Sequence, residues 1–382
     1  MMRQAITLAA LTATLLSCSS SQGGVDDSSA SKLLMFTGSY ASPADEGIAL
    51  WVFDTDSATA TRLGGVRGVS NPSFIVPDVE GNLYAVGEDE GLTSTMNHLR
   101  YNASDTLSPL RFADSVPTGG GAPCFVNISP DGRFVLTANY MGGNITIARR
   151  SPDGSLQPKP MVVSFPEADH PTTSDGKPRL HSVNFTPDGR YLLAVDLGTD
   201  RLHMFPLKSG SDSLIDPDAV TRLPLREGMG PRHIDFSSDG RFGYLLGEVS
   251  GEIAVIDLAD AAKPEVVQYI LADTAGGHGA GDIHLSPDGH FLYASNRLKG
   301  DGIAVFGVDS LSGRLSMVDY CLTGPHPRNF AITPDGDWLL VACRDSDAIE
   351  VYRRDRSTGR LSELVRTISV SRPTCIRFLT SK

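Results

Sequence analysis

The chain is poor in cysteine, in aromatic residues and in long apolar runs, and each shortage closes off a class of protein. Five cysteines in 382 residues, with no pair at zinc-knuckle spacing, make neither a disulfide framework nor a metal site. Apart from Cys18, the cysteines (Cys124, Cys321, Cys343 and Cys375) read as isolated buried thiols without a chemical role. Past the N-terminus, no apolar run approaches the roughly 20 residues of a membrane-spanning helix. Basic residues are the minority, 33 against 45 acidic ones, and the formal charge of −12 argues against nucleic acid as a partner. Phe, Tyr and Trp together reach only 7%. Glycine (39) and proline (24) are abundant beside a 40% apolar content, which suits many short strands and turns rather than long helices.

The first residues read as an address. Arg3 precedes an apolar stretch from Ala5 to Leu16, too short to span a bilayer. The stretch ends in Leu15-Leu16-Ser17-Cys18, which resembles a bacterial lipobox, a signal in which the cysteine is diacylated and becomes the mature N-terminus. The expected organisation is a lipoprotein signal peptide over 1–17, lipidation at Cys18, a flexible Ser/Gly/Asp-rich tether over 18–32, and one domain over 33–382. Such a protein sits at the cell envelope, periplasmic or on the outer surface, and meets the membrane only through its lipid. An unused signal would leave it in the cytoplasm.

A repeat sets the fold. A short apolar strand, an Asp-Gly turn, a second apolar strand and a polar pair recur, with turn aspartates at Asp131, Asp188, Asp239, Asp288 and Asp335. These are 57, 51, 49 and 47 residues apart. A degenerate copy turns at Glu80-Gly81, and a half-copy runs from Pro373 to Leu379, making seven. A period near fifty with four strand-sized segments predicts an all-β, seven-bladed propeller. The orphan strands at Leu33–Tyr40 and Gly47–Phe53 are expected to complete the C-terminal blade and close the ring.

In each predicted hairpin the start of the first strand and the end of the second lie at one edge, opposite the Asp-Gly turn. Seven residues before each turn stands an incoming column: Ser73, Cys124, His181, Arg232, Gly281, Arg328 and Thr374. Eight and nine after it stands an outgoing column: Asn139-Tyr140, Asp196-Leu197, Gly247-Glu248, Asn296-Arg297 and Cys343-Arg344. A propeller gathers His181, Arg232, Glu248, Arg297 and Arg328 at one mouth of its channel. Three guanidinium groups, an imidazole and a carboxylate sharing a concave mouth point to an anionic ligand. Asn184, Asp235 and His284, one pleat further along, read as polar groups between blades, while Asp188 and Asp288 are structural turn residues.

At these residues the chain resembles the seven-bladed lactonase family, which includes 6-phosphogluconolactonase-like and carboxy-muconate cyclase-like members. The resemblance rests on Gly121-Ala-Pro-Cys, Leu180-His-Ser-Val-Asn-Phe, Gly230-Pro-Arg-His, Tyr293-Ala-Ser-Asn-Arg297 and His326-Pro-Arg-Asn-Phe330. It implies catalytic roles for His181, Arg232, Glu248 and Arg297; Arg328, His233 and His284 are the candidates for binding substrate. One departure is that many members carry His-x-His where this chain has Arg179-Leu-His181. The implied activity is hydrolysis of an anionic sugar lactone: Glu248 or His181 activates water, an arginine polarises the carbonyl, and no metal or cofactor takes part. No G-x-S-x-G elbow offers a nucleophilic serine. Two other readings stand beside it: a non-catalytic envelope propeller binding carbohydrate or protein, and a muconate-type lactonising enzyme. A monomer is expected.

Overall fold

The computed structural model describes residues 31–91, 93–167 and 175–380, so Cys18 and the expected signal lie outside the described residues. Seven four-stranded antiparallel sheets follow one another along the chain. Blade 1 spans 75–117, blade 2 123–164, blade 3 180–224, blade 4 231–271, blade 5 280–322 and blade 6 327–369. Blade 7 takes its innermost strand, Pro373–Phe378, from the C-terminus and its other three, Lys32–Ser39, Ile48–Asp54 and Thr59–Val66, from the N-terminal end. The innermost strands contact one another around the ring, and Pro373–Phe378 meets Ile75–Pro77 to close it. The expected seven-bladed propeller and its mode of closure are both present. Its first strand begins at Lys32, one residue before the expected domain boundary.

The Asp-Gly turn explains its own repetition. In blade 2, Asp131 accepts hydrogen bonds from Ser129 Oγ (2.7 Å) and the Arg133 amide (3.1 Å), while Ser129 Oγ accepts from the Phe134 amide (2.9 Å). Gly132 supplies the left-handed dihedral at φ 69°. Thr186 with Asp188, Ser237 with Asp239, Ser286 with Asp288 and Thr333 with Asp335 repeat the arrangement. Strand interiors are apolar on both faces because each sheet packs between two others; Tyr84, Tyr244, Tyr293, Phe36 and Phe306 are fully buried there. The only helix among the described residues is the single 3-10 turn Arg344–Ser346, and none is long and apolar enough to cross a membrane.

Candidate active site

The incoming column has a structural cause in how the first two strands of each blade pair. In blade 3, Leu180 pairs with Asp196 and Ser182 with Val195, so His181 is the extra residue of a β-bulge. Arg232, Arg328, Cys124 and Thr374 are skipped in the same way in blades 4, 6, 2 and 7. In blade 5 the irregularity falls between Ala280 and Ile283, taking in Gly281. A bulge turns its residue away from the flanking sheet face, which re-aims these side chains at the channel. The residue before the proline that leads into the blade is left-handed at Asn71, Ala122, Gly230, His326 and Arg372, and its carbonyl accepts the amide of the outgoing residue of the same blade. Four of these five are not glycine, so unfavourable backbone conformations lie along this mouth.

Four of the candidates form one contiguous cluster. Arg232 Nη1 donates to His181 Nε2 (2.5 Å) and to Glu248 Oε2. Arg297 Nη2 lies 3.2 Å from Glu248 Oε1, and His181 Nε2 lies 3.6 Å from Glu248 Oε2. Backbone carbonyls fix both guanidinium groups: Arg232 Nε donates to Gly281 O (2.6 Å), and Arg297 donates to Gly279 O (2.6 Å) and Ala280 O (2.9 Å). Since an arginine only donates, His181 Nε2 is the acceptor and its proton sits on Nδ1, which faces Cys124 Sγ at 3.6 Å. The ring of Tyr140 packs edge-on against His181.

Burial and the arginines set the protonation states. Burial, with Arg232 next in weight, holds His181 well below the ordinary imidazole range, so it is neutral. For Glu248 burial acts upward, but Arg232 and Arg297 outweigh it and hold the carboxyl at about 2. Burial and the neighbouring Arg232 push Arg297 down to about 9, which leaves it charged at neutral pH. Of the four side chains Glu248 alone reaches solvent appreciably, at 27% against 3–5% for the others.

Arg328 stands across the mouth with partners that column counting missed. Its guanidinium lies over the Tyr40 ring (5.1 Å) and 3.6 Å from Glu88 Oε2, while Tyr40 donates to Glu88 Oε1 (2.9 Å). Burial opposes the charge on Arg328, but Tyr40 and Glu88 outweigh it and raise its pKa. Glu88 is the second carboxylate of a funnel that the sequence presented with one. Counting eight residues on from the degenerate turn at Glu80 would have found it; Tyr40 follows a strand with no Asp-Gly turn to count from. His326, also unassigned, sits 3.3 Å from Arg297.

The structure separates the other two assigned histidines from this cluster. His233 is buried behind His181, with ring centroids 5.3 Å apart, and its Nδ1 bonds Asp282 Oδ1 at 2.6 Å. His284 bonds the other oxygen of Asp282 (2.9 Å) and faces a cavity at the turn end of the channel, not the mouth. Asp235 accepts the Leu285 amide of the next blade (2.7 Å), as a brace between blades. Asn184 instead bonds Ser182 of its own strand. Among the described residues no cluster of His, Cys, Asp and Glu is arranged to hold a metal ion.

Comparison with known proteins agrees with this architecture. The family described as lactonase, 7-bladed beta-propeller, matches residues 34–378. A 6-phosphogluconolactonase of Bacillus subtilis is 31% identical over 354 residues, covering 91% of this chain and 99% of the relative. The crystal structure of a Bacteroides fragilis protein superposes with a TM-score of 0.86 at 37% identity, covering 94% of this chain and all of the other. A periplasmic gluconolactonase of Pseudomonas aeruginosa superposes with a TM-score of 0.82 at 30% identity, over 92% and 99% of the two chains.

Proposed function

The chain belongs to the seven-bladed β-propeller lactonase family, and from that premise we propose that its mouth hydrolyses an anionic sugar lactone of the 6-phosphogluconolactone kind by direct attack of water. The observation that carries this is Glu248 held between Arg232 and Arg297 with neutral His181 against it. The ionised, solvent-reaching Glu248 takes a proton from water as its oxygen bonds the lactone carbonyl carbon. Arg232 and Arg297, fixed by carbonyls, stabilise the developing oxyanion. The ring C–O bond then breaks, and the leaving oxygen recovers the proton to give the open hydroxy acid. His181, whose Nε2 accepts from Arg232, fixes that guanidinium beside the same carboxylate oxygen. Arg328 holds the substrate's phosphate or carboxylate, its long contact to Glu88 yielding to a closer charge-assisted pair. The family match and the hydrolases among its relatives favour this over lactonisation or a purely binding propeller.

The lipobox-like Leu15-Leu16-Ser17-Cys18 and the periplasmic relative support an envelope location with a lipid anchor at Cys18. That location favours a second substrate, unphosphorylated gluconolactone, at the same site. Release of acid above the spontaneous rate, measured with both lactones, tests the reading and ranks the substrates. Glu248→Gln should lower kcat by about 10²–10⁴ and Arg232→Ala by about 10²–10³. A wild-type rate equal to buffer with both lactones would overturn it.

A further inference from the structure

The channel has a second end. A cavity of about 370 Å³ opens there, lined by Asn127, Asn184 and Asp235, each three positions further along its strand than Cys124, His181 and Arg232. Its walls are apolar, with Phe74, Phe125, Val76, Ile332 and Ile376 among them, and its size is that of a small-ligand pocket. His233 closes it toward the mouth, its ring edge-on to Phe74, Phe125 and His181.

Among the described charged groups on this wall, one makes no ion pair. Asp282 pairs with His284 (2.9 Å), and it also accepts from His233 and from Asn329 of the next blade. Burial opposes protonation of His284, but Asp282 and then Asp235, 3.9 Å away, outweigh it and raise its pKa. Burial pushes Asp235 up from the ordinary carboxylate value, against the pull of His284. Arg377 is different: its guanidinium lies 4.5 Å over the Phe74 ring and donates to the Ile376 carbonyl (2.9 Å), and among the described residues it makes no ion pair. At the inner end, His233 gives its Nδ1 proton to Asp282, which leaves a buried Nε2 lone pair without a partner. Native structures rarely leave such an acceptor empty, and a ligand hydroxyl can fill it.

We propose that this cavity is a second binding site, separate from the lactone-hydrolysing mouth, for an organic anion with a small apolar body. The carboxylate pairs with Arg377 beside His284, and the body lies on the aromatic and aliphatic wall. The polyhydroxylated substrate of the mouth suits these walls poorly. Titration of the purified protein with 4-fluorobenzoate, followed by fluorine NMR, tests this. Saturable binding is expected, weakened at least tenfold in Arg377→Gln and equally in Val76→Phe, which fills the cavity without touching a charge. Arg232→Ala at the mouth should leave it unchanged. Thermal melting checks that each variant is folded, and Val76→Phe decides should Arg377→Gln fail to fold. Absence of saturation by about 10 mM, or binding lost in Arg232→Ala and kept in both cavity variants, overturns the site.

Discussion

At Glu248 two guanidinium groups meet one carboxylate, so its proton affinity is set by opposing effects, and the arginines win. A carboxyl held at about 2 is ionised across the working range but is a weak base in the free enzyme. Because its folded pKa lies below the ordinary 4.5, the clamp adds stability that is present above about 4.5 and is lost as pH falls through about 2. The acid limb of kcat/KM should accordingly lie below the usual carboxylate range. Removing one cation in Arg297→Gln should move that limb up by about 1 pH unit, along with whatever it costs in turnover. A pH–rate profile of the two proteins checks this, and a limb that stays in place would remove Glu248 from the base role. His181, Arg232, Glu248 and Arg297 were legible because each lies at a fixed count from an Asp-Gly turn. Glu88 and Tyr40 escaped because their blades lack a clean turn to count from.

The hairpin is the element in which most of the fold could be read and most of the site's aim could not. Asp, Gly and the hydroxyl residue two before the Asp each make a specific turn bond, so the motif survives intact in five blades. The β-bulges depend on pairing between strands, and the proline that precedes the skipped residue in blades 2, 4, 6 and 7 does not by itself reveal them. Contacts between hairpins of adjacent blades were similarly silent. Arg354 in blade 6 reaches back into blade 5, donating to Tyr293 Oη (2.7 Å) and Asp288 Oδ2 (2.7 Å) and to Gly336 O (3.1 Å) of its own blade. Tyr293 in turn donates to Gly359 O. Arg150 repeats the device, bonding Asp78 and Gly132 O, with Tyr84 donating to Gly154 O. Arg354→Leu removes the donor to Asp288 Oδ2 and to the Tyr293 hydroxyl, which keep their bonds to Ser286 and Gly359, and should cost about 2 kcal/mol in chemical denaturation. Lactone turnover should be spared, since the lock lies at the turn end. An unchanged denaturation midpoint would show that the lock carries no net stability.

For the whole molecule, stability hangs on a strand of six residues from the far end of the chain. Pro373–Phe378 pairs with Lys32–Ser39, with Thr37 opposite Ile376 and Met35 opposite Phe378. It also gives the Ile376 amide to Asn329 of blade 6 (2.7 Å), and Cys375 and Ile376 are fully buried. Each large apolar side chain buried here contributes about 1.5–3 kcal/mol, so losing the strand approaches the about 5–15 kcal/mol that a domain has in total. The loss also uncovers Lys32–Ser39 as an unpaired inner edge. A chain ending at residue 370 should therefore lose its cooperative thermal transition and aggregate. The register offers a control: the Leu379 amide donates to Leu34 O (2.9 Å), so the end of the last strand lies beside the start of the first. Transplanting residues 371–380 ahead of residue 31 through a short turn keeps every pairing while making blade 7 contiguous. The transplanted chain should regain the transition and the lactone turnover together, because Arg328, Glu88 and Tyr40 meet across the seam that this strand closes. A truncated chain that melts at the native temperature would show that the ring holds without its closure. A transplanted chain that stays unfolded would show that the covalent order of the strands, rather than their pairing, is what the fold requires.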